Sequence, residues 1–481
     1  MCFTPICGAT DAGKPMLNSA DPALLAALES RLGKAGLRPC APADLEEPRG
    51  IFKGQGAVVA RPASGAEVAA VLAMCNEARV PVVPLGGGTG LVGGQVLASG
   101  PLPVLLSLEQ MGAISDVSPE NNTMTVQAGA VLADIHAAAL EAGRMFPLSL
   151  ASAGSCRIGG NLATNAGGIN VLRYGNARAL CLGLEAVLAD GTVIGGLKRL
   201  HKDNTGYDIR NLMIGSEGSL GVITAAVLRL FPLPKALHTV FLSVPTPAAA
   251  LVLLHGLQTQ FGDAVTGFEL IHKTGFEFLA ETGFGLASPL ACPAEWNVLL
   301  EISGAVALAE PLEAALARMM EKGLLSDAVI AQNEAQRRHF WHIREAIPAA
   351  NKRIGAISSH DISVPVAELP GFIARAGAAL PPQLRVNCFG HMGDGNLHYN
   401  IFPPKGEARA GYMEQREELA RLVFDIVAEF GGSFSAEHGV GRLKVAELER
   451  YGDAGKLATM RRIKTALDPN GIMNPGAVLR A

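Results

Sequence analysis

The spacing of apolar residues predicts alternating helices and short strands in the first half of the chain. Four leucines between positions 24 and 32 recur at helical spacing, which predicts a helix within residues 22–44 with Asp21 as its N-cap. Ser64 and Glu67 have the spacing of a capping box at the start of a second helix. Short apolar segments predict strands at Ala57–Arg61, Val80–Leu85, Val104–Leu108, Thr123–Gln127 and Leu184–Leu188.

Residues 238–330 show a longer alternation of strand and helix patterns, which is typical of an antiparallel sheet with helices on one face. Residues 332–353 continue with a helical pattern that we expect to bend or end near Pro348. The predicted fold class is therefore α+β. The predicted elements are strands at Val240–Val244, Gly267–Leu270 and Trp296–Ser303, helices at Pro247–His255, Leu308–Lys322 and Gly411–Phe430, and a hairpin at Val386–Phe402.

The composition is that of a large folded protein with many special backbone positions. The chain has 481 residues, which corresponds to about three domains at roughly 150 residues each. Charged residues make up only 17% of the chain, whereas about 25% is usual. Glycine is in excess, with 56 residues, so the positions of the glycines carry information.

The charge, hydropathy and cysteine spacing argue against several classes of protein. A net charge of −4 without a basic block argues against nucleic-acid binding. No apolar run reaches the roughly 18 residues of a membrane span, and residues 1–18 lack the pattern of a secretory signal. The 8 cysteines include no CxxC pair, which argues against an iron–sulfur cluster or zinc knuckle and predicts reduced thiols. We therefore expect a soluble cytoplasmic protein.

The glycines cluster in three loops, at residues 86–94, 154–168 and 215–221. The first loop contains the spacing GxGxxG, which resembles a fingerprint for NAD, but residues 95–103 leave no room for the helix that the fingerprint requires. A loop of this kind can still bind phosphates through backbone N–H groups, or it can simply form a tight turn. Three such loops in one domain favour a long dinucleotide such as FAD.

A second group of residues has the spacing of a metal site. Asp394 and Gly395 predict a two-residue hairpin turn, which would place His391 directly opposite His398, with Asn400 on the same face. Two imidazoles so placed can bind one divalent cation, and Glu437 would complete a site with open positions for a substrate. The alternative is a pair of histidines on a solvent-facing hairpin. His438 has a side chain whose ordinary pKa, about 6.5, suits a general base.

Taken together, the three glycine loops resemble the FAD-binding domain of the vanillyl-alcohol oxidase / p-cresol methylhydroxylase superfamily, and in particular its D-2-hydroxy-acid dehydrogenase branch. The resemblance implies a two-subdomain FAD-binding domain at residues 45–235, after an N-terminal helical segment at 1–44. It also implies a cap domain of antiparallel sheet plus helices at 236–430 and a C-terminal segment at 431–481 that returns to the FAD domain. The further motifs that carry it are Asn204–Asp208, Gly390–His398, Glu437–Gly439 and Pro469–Gly471.

The resemblance also implies how FAD is bound. The loop Gly86–Gly94 would hold the pyrophosphate, the second loop the flavin, and the third loop the ribose and adenine. Because the first loop contains no histidine, non-covalent FAD is expected. The expected FAD-binding residues are Pro84, Gly86, Gly87, Gly88, Thr89, Gly90, Leu91, Gly93, Gly94, Ser155, Gly159, Gly160, Asn161, Thr164, Asn165, Gly168, Glu217, Gly218, Ile223 and Asn474.

For the reaction, the resemblance implies that a divalent metal, Zn or Mn, binds to His391, His398 and Glu437. His438 would take the proton of the substrate hydroxyl while a hydride passes to flavin N5. Arg344 would bind the substrate carboxylate, with Asn400 and His360 as further substrate contacts. From the residues alone, Arg344 could equally be a helix-surface arginine paired with Glu345 or Glu334. The substrate would be a small D-2-hydroxy acid of the D-2-hydroxyglutarate, D-lactate or D-malate type.

The chain departs from the pattern of dicarboxylate-using relatives at two positions. Ser359 stands where those relatives usually carry a lysine, and Pro348 stands where they carry a threonine. Both changes weaken the case for D-2-hydroxyglutarate, although Lys352, Arg353 or His360 could replace the missing cation.

Two other functions are compatible with the sequence. One is an oxidase of the same fold that uses oxygen directly, and the other is a flavin-binding subunit of a larger complex. For a dehydrogenase, electrons would leave to a separate acceptor, an electron-transfer flavoprotein or a quinone-linked carrier. A homodimer is one of the assemblies that the sequence allows.

Overall fold

Three large hydrophobic cores lie within the described residues, one in the first half of the chain and two in the second. The computed structural model describes residues 16–291, 293–304 and 308–480. The first core is built from residues 24–230 together with Ile472 and Met473, and residues 240–427 build the cores of the second half. Residues 1–15 and Cys292 lie outside the described residues. The predictions made for an N-terminal signal and for the thiols of Cys2, Cys7 and Cys292 concern these residues. The described cysteines at positions 40, 75, 156, 181 and 388 are free thiols.

The first half of the described chain forms two sheets with flanking helices. The strand order is β1-β2-β4-β3 in one sheet and β5-β6-β10-β8-β9 in the other, and β7 pairs with β11. The strands are β1 (Leu37–Arg38), β2 (Val58–Ala60), β3 (Val82–Leu85), β4 (Val104–Ser107), β5 (Ile114–Ser118), β6 (Thr123–Gln127), β7 (Arg144–Met145), β8 (Cys181–Val187), β9 (Val193–Ile194), β10 (Val222–Arg229) and β11 (Phe231–Pro232). The helices are α1 (Pro22–Leu32), α2 (Pro42–Leu45), α3 (Gly65–Ala78), α4 (Leu132–Glu141), α5 (Ile158–Ala163), α6 (Val171–Tyr174) and α7 (Ile209–Met213).

Side-chain caps start the first two long helices, as predicted. The Asp21 carboxylate accepts a hydrogen bond from the backbone N–H of Leu24 at 2.8 Å, and the Ser64 hydroxyl accepts one from Glu67 at 3.2 Å. The predicted extent of the first helix was wrong, because α1 ends at Leu32 and not near residue 44. Gly33 has a φ of 73°, a backbone conformation that ends a helix at little cost only for glycine.

The connection between β3 and β4 supports the rejection of an NAD fingerprint. The two strands are parallel neighbours, and residues 86–103 join them without a helix. A dinucleotide pyrophosphate therefore has no helix N-terminus to bind at this loop.

The second half forms one antiparallel sheet of seven strands in the order β15-β12-β14-β13-β17-β18-β16 within the described residues. Its strands are β12 (Ala236–Val244), β13 (Val265–His272), β14 (Trp296–Gly304), β15 (Asp327–Ile330), β16 (Ser358–Ser363), β17 (Arg385–His391) and β18 (Asn396–Phe402). Its helices are α8 (Pro247–Phe261), α9 (Thr274–Glu281), α10 (Ala309–Glu321), α11 (Glu334–Ile354), α12 (Leu369–Ala379) and α13 (Arg416–Glu429). Two further helices follow, α14 (Val445–Tyr451) and α15 (Ala454–Leu467).

Helices cover both faces of this sheet, so the prediction of helices on one face was wrong. Along β12, Val240 and Leu242 join the core that contains α8, α10, α12 and α13, whereas Phe241 joins the core that contains α9 and α11. The central strands β12 and β14 are buried at nearly every position, and a strand of that kind needs cover on both faces.

Helix α11 and the segment after α15 both carry residues of the predicted functional site. Helix α11 continues through Pro348 to Ile354, so the proline does not end the helix. After α15 the chain returns to the first half, where the N–H of Val82 donates to Ile472 and the N–H of Asn474 donates to Val82, each at 2.9 Å. No helix in the described part of the chain is long and apolar enough to cross a membrane.

Candidate active site

The three glycine loops meet around one cavity. Its empty volume, which includes space open to solvent, is about 960 Å³. His438, from the C-terminal segment, lines the same cavity. The expected FAD-binding residues that line it are Pro84, Gly86, Gly87, Gly88, Thr89, Gly90, Gly94, Gly159, Gly160, Asn161, Thr164, Glu217, Gly218, Ile223 and Asn474.

Five expected FAD-binding residues do not line the cavity, and three of these support its wall instead. The carbonyl of Gly93 accepts from Arg442, the side chain of Asn165 accepts from the N–H of Arg178, and the N–H of Gly168 donates to Glu437. The other two are Leu91 and Ser155.

Two features of the cavity wall fit a bound dinucleotide. A side chain at Gly87 would collide with the backbone carbonyl of Ser155, so only glycine allows the first and second loops to approach this closely. The side-chain oxygen of Asn161 is buried and has no hydrogen-bond partner among the described residues. A buried polar atom without a partner is costly, and a ligand in the cavity can supply the missing donor.

The histidine hairpin has a different register from the predicted one. Phe389, and not His391, lies opposite His398, and a turn of 3₁₀ helix at Met392–Asp394 replaces the two-residue turn. The register differs by two residues from the prediction. Because side chains alternate between faces with a period of two, His391 and His398 still share one face of the sheet.

His391, His398 and Glu437 form a cluster that can hold a metal ion. One potential ligand atom from each residue lies within 4.8 Å of those of the other two. Nε2 of His391 lies 3.8 Å from a carboxylate oxygen of Glu437, and that oxygen also accepts the N–H of Gly168 at 2.7 Å. Two imidazoles and one carboxylate are a donor set that suits a catalytic divalent metal with open coordination positions.

Glu269, on β13, was not identified from the sequence. It is 1% exposed, and its carboxylate accepts hydrogen bonds from Nδ1 of His391 and from Nε of Arg344. Burial by itself would raise the pKa of Glu269, but His391 and Arg344 outweigh it and lower the pKa to about 2. Burial would also lower the pKa of His391, but Glu269 raises it to about 9. A carboxylate on Nδ1 leaves Nε2 of this imidazole to face the metal position.

Asp361, on β16, is a second buried carboxylate whose role was not predicted. One of its oxygens accepts the backbone N–H groups of Glu437 and His438, at 3.0 and 2.9 Å. The other oxygen accepts the side-chain amide of Asn396 at 2.9 Å. Burial opposes ionisation, but the electrostatic interactions with His438, His398 and Lys444 outweigh it and lower the pKa of Asp361. The carboxylate therefore fixes the backbone that carries Glu437 and His438.

The two remaining imidazoles are neutral. Burial lowers the pKa of His398 to about 3 and also lowers the pKa of His438. Nδ1 of His438 lies 3.4 Å from Asp361, and its ring lies 6.2 Å from that of His398, nearly parallel to it. His438 therefore connects the metal cluster to the cavity of the glycine loops.

Arg344 is buried beside the cluster and not on the helix surface. Its Nε donates to Glu269 at 2.7 Å, and its guanidinium lies 4.7 Å from the centre of the Phe389 ring. The alternative partner Glu334 binds Arg337 instead. Within the described residues, no hydrogen bond of the terminal guanidinium nitrogens is present, so they can still bind an anion.

The structure does not bring His360 to this cluster, so its assignment as a substrate contact was wrong. It pairs with Tyr399 in the sheet, on the opposite face from His398. Its ring packs against Phe424 of α13, and its nitrogens are bonded to Ser358 and to the carbonyl of Tyr399. By the same alternation Asn400 and Ser359 lie on the face of His398.

Glu217 lines the cavity, and its carboxylate also binds the protein backbone. It accepts the backbone N–H groups of Val440 and Gly441, each at 2.7 Å. Burial raises the pKa of this carboxyl group, although these two hydrogen bonds oppose the rise. Glu217 therefore links the third glycine loop to the segment that follows His438.

Two family models match the chain. A model described as an FAD-binding domain matches residues 56–195, and a model described as the C-terminal domain of FAD-linked oxidases matches residues 233–478.

Curated relatives and a solved structure are also similar to the chain. The probable mitochondrial D-2-hydroxyglutarate dehydrogenase of Oryza sativa subsp. japonica is 39% identical over 435 residues, which cover 89% of this chain and 76% of that protein. The D-2-hydroxyglutarate dehydrogenase of Xanthomonas citri pv. viticola is 39% identical over 422 residues, 87% of this chain and 88% of that protein. The crystal structure of p-cresol methylhydroxylase with substrate bound is 15% identical with a TM-score of 0.76, and the match covers 97% of this chain and 99% of that chain. The last likeness confirms the expected α+β fold with its two-part FAD-binding domain.

Proposed function

Since the chain belongs to the family of FAD-linked oxidases and is an FAD-dependent oxidoreductase related to D-2-hydroxyglutarate dehydrogenases, we propose that it oxidises a D-2-hydroxy acid to the 2-oxo acid. D-2-hydroxyglutarate is the first substrate to test, because the relatives described above carry that name. The observation that carries the proposal is the position of His438. It lines the FAD cavity and directly follows Glu437 of the potential metal cluster.

The residues of the cavity fit FAD held without a covalent bond. Backbone N–H groups of the first glycine loop suit the pyrophosphate, and the unpaired oxygen of Asn161 can accept a donor from the ring system. His438 is the histidine among the residues that line the cavity, and its ring is placed by Asp361 for acid–base chemistry. When bound, FAD would accept the hydride that leaves carbon 2 of the substrate.

We propose a divalent metal, Zn or Mn, at His391, His398 and Glu437. The neutral imidazole of His398 and the carboxylate of Glu437 are ready to bind a cation, and Glu269 orients His391 for the same purpose. Such a cation would lower the pKa of the substrate hydroxyl and attract the neighbouring carboxylate.

His438 is the proposed base. Burial lowers the pKa of its imidazole, so the ring is neutral at pH 7 and able to take the hydroxyl proton. Asp361, 3.4 Å from Nδ1, can stabilise the imidazolium that forms, and it leaves Nε2 for the substrate. Arg344, which Glu269 holds through Nε, would bind the carboxylate next to the reacting carbon, with Asn400 on the same side of the sheet.

The test is flavin bleaching under anaerobic conditions. Addition of D-2-hydroxyglutarate, D-lactate or D-malate to the purified yellow protein should bleach the flavin with at least one of them, and the L-forms should not. His438→Ala should retain FAD and lose roughly a hundredfold or more in the rate of bleaching. Rapid bleaching of the His438→Ala protein would contradict the role of the base.

The acceptor distinguishes a dehydrogenase from an oxidase. For a dehydrogenase, the reduced flavin should react slowly with oxygen and rapidly with an artificial acceptor in stopped-flow measurements. The physiological acceptor we propose is a separate electron-transfer flavoprotein or a quinone-linked carrier. Fast reoxidation by oxygen alone would favour the oxidase.

A further inference from the structure

We infer that the guanidinium of Arg157 binds the pyrophosphate of FAD, together with the backbone N–H groups of the first glycine loop. Arg157 belongs to the second glycine loop, at residues 154–168. The inference concerns the cofactor, so it depends on FAD binding and not on which hydroxy acid the protein oxidises.

Arg157 lines the cavity that the glycine loops surround, and its backbone lies between two points at which the second loop contacts the first. A β-carbon at Gly87 would lie 2.7 Å from the Cα atom of Cys156. A β-carbon at Gly86 would lie 3.3 Å from the Cα atom of Gly160. The side chain of Arg157 therefore begins directly beside the loop whose N–H groups suit the pyrophosphate.

The carbonyl of Gly129 holds one end of the Arg157 guanidinium. Nη1 donates to this carbonyl at 2.6 Å, and the neighbouring residue Ala128 lines the same cavity. Nε and Nη2 make no hydrogen bond and no ion pair within the described residues, and the side chain is half-buried. These two nitrogens form one edge of the guanidinium, which can donate two parallel hydrogen bonds to a phosphate.

The charges on the cavity wall make Arg157 the counter-charge for a doubly negative pyrophosphate. Among the described residues that line the cavity, Arg157 is the one arginine or lysine and Glu217 is the one carboxylate. That carboxylate already accepts the N–H groups of Val440 and Gly441. Backbone N–H groups contribute only partial charges, so the full positive charge at the cavity wall comes from Arg157.

The arginines attached to the other two glycine loops bind backbone carbonyls and do not line the cavity. Arg442 donates to the carbonyl of Gly94 at 2.9 Å, and Arg178 donates to the carbonyl of Ile214 at 2.7 Å. Both arginines therefore support the shape of a loop, whereas Arg157 keeps one edge of its guanidinium for a ligand.

The test measures the affinity of the full-length chain for FAD, after removal of the flavin, at several salt concentrations. Arg157→Gln should raise the Kd for FAD by about 10- to 100-fold, because a hydrogen bond between charged groups is lost. The Kd should also depend less on salt than in the wild-type protein, since added ions screen an ionic contact with a phosphate. Arg157→Lys keeps the charge but not the two parallel hydrogen bonds, so its affinity and salt dependence should lie between those of the other two proteins.

Arg144→Gln is the matched control. Arg144 is also half-buried and donates to backbone carbonyls, those of Gly143 and Pro119, but it does not line the cavity. This variant should bind FAD with the wild-type Kd and the wild-type salt dependence. Melting temperatures of the FAD-free proteins should show that all variants fold.

Three results would overturn the inference. One is an unchanged affinity of Arg157→Gln for FAD, and another is a weaker affinity with unchanged salt dependence, which would indicate that Arg157 only supports the loop through Gly129. The third is an unchanged affinity with a lower midpoint potential of the bound flavin, which would place the guanidinium at the flavin ring. A wild-type protein that binds FAD but oxidises no D-2-hydroxy acid would contradict the proposed function and leave this inference intact.

Discussion

At the scale of single residues, Glu269 controls the protonation of one metal-binding histidine. It is almost fully buried between His391 and Arg344, so its charge acts at short range and in a poorly polarisable environment. A carboxylate in this position fixes the orientation of His391 and makes its imidazole more basic. The same contact makes metal binding sensitive to pH.

We predict that the metal-free protein takes up a metal with release of a proton. Burial alone would lower the pKa of His391, but Glu269 raises it to about 9, so Nε2 holds a proton at pH 7. The metal can bind only after this proton leaves, so affinity should increase about tenfold per pH unit as the pH rises toward that pKa. Calorimetric titration with Zn at pH 7.5, in two buffers of different ionisation enthalpy, should show release of about one proton.

Glu269→Gln is the control for this experiment. The amide keeps the shape of the side chain but no longer raises the pKa of His391, so fewer protons should be released at pH 7.5. Metal affinity should also fall, by roughly 10- to 100-fold, because the imidazole loses its orienting carboxylate. Heats that do not depend on the buffer in the wild-type protein would show that His391 is already neutral.

The sequence identified the residues with recognisable chemistry but missed their supporting carboxylates. His391, His398 and Glu437 belong to glycine-containing motifs, whereas Glu269 and Asp361 are single acidic residues within largely buried strands. An acidic residue in an otherwise buried strand indicates a buried ionic interaction, because a buried charge requires a partner. Its partner lies 122 residues away for Glu269, so the sequence does not identify it.

At the scale of secondary structure, α11 keeps a proline in its interior. Pro348 has no N–H to donate to the carbonyl of Arg344, one turn earlier, and its side chain is exposed. The helix nevertheless continues, because Ile347, Ala350 and Asn351 are buried on either side of the proline. Packing therefore overrides the local preference that led us to expect an end or a bend.

Pro348→Ala should therefore stabilise the protein. The restored hydrogen bond and the better helix propensity should raise the free energy of unfolding by roughly 1–3 kcal/mol, measured by urea denaturation. Ala349→Gly, at the neighbouring exposed position, should lower it by about 1 kcal/mol. A less stable Pro348→Ala protein would mean that the helix depends on the fixed geometry of the proline.

The segment after His438 is attached to the first glycine loop by Arg442. Its terminal nitrogens donate to the carbonyls of Gly93 and Gly94, both at 2.9 Å, and to Asn474 at 2.8 Å. The side-chain amide of Asn474 also donates to the carbonyl of Gly94, at 3.0 Å. The conformation of the loop that would bind the pyrophosphate therefore depends on the C-terminal residues.

We expect Arg442→Met to weaken FAD binding. Several buried carbonyl groups lose their donor, which costs about 1–3 kcal/mol and should raise the Kd for FAD about tenfold or more, measured by flavin fluorescence. Arg450→Met, on the exposed side of α14, is the control and should bind FAD normally. Unchanged FAD affinity in Arg442→Met would show that the loop keeps its shape without this contact.

At the scale of the whole molecule, the candidate active site lies where the two halves meet. The cavity for FAD is lined mainly by the first half, whereas His391 and His398 come from the seven-stranded sheet and Glu437 from the C-terminal segment. The N–H of Gly168, in the first half, donates to Glu437 at 2.7 Å and joins the two regions.

This arrangement predicts that metal and flavin can be removed separately. Treatment with a chelator should abolish substrate-dependent bleaching but leave the yellow colour, because the residues that would hold the metal contribute little to the cavity wall. Zn or Mn should restore activity, and the metal content can be followed by elemental analysis. Loss of the flavin together with the metal would show that the two sites depend on each other for folding.

The sequence by itself determined which kinds of chemistry the protein can carry. These kinds of chemistry are visible in local patterns, namely the glycine clusters, the paired histidines and the Glu437–His438 pair. Each pattern lies within one short segment, so it can be recognised without knowledge of the rest of the fold. The α+β fold class, the FAD-binding domain and the membership of a known family were all predicted in this way and confirmed.

Only the tertiary structure decided how these patterns combine. Contacts between residues far apart in sequence give the histidine hairpin a register that differs by two residues from the predicted one. They also pack His360 against Phe424 and bring Glu269 into contact with His391. They also lead Glu217 to bind the backbone of Val440 and Gly441, just after His438. The reason is physical: the free energy of a buried charge depends on which partners surround it, and the packing of the whole chain determines those partners.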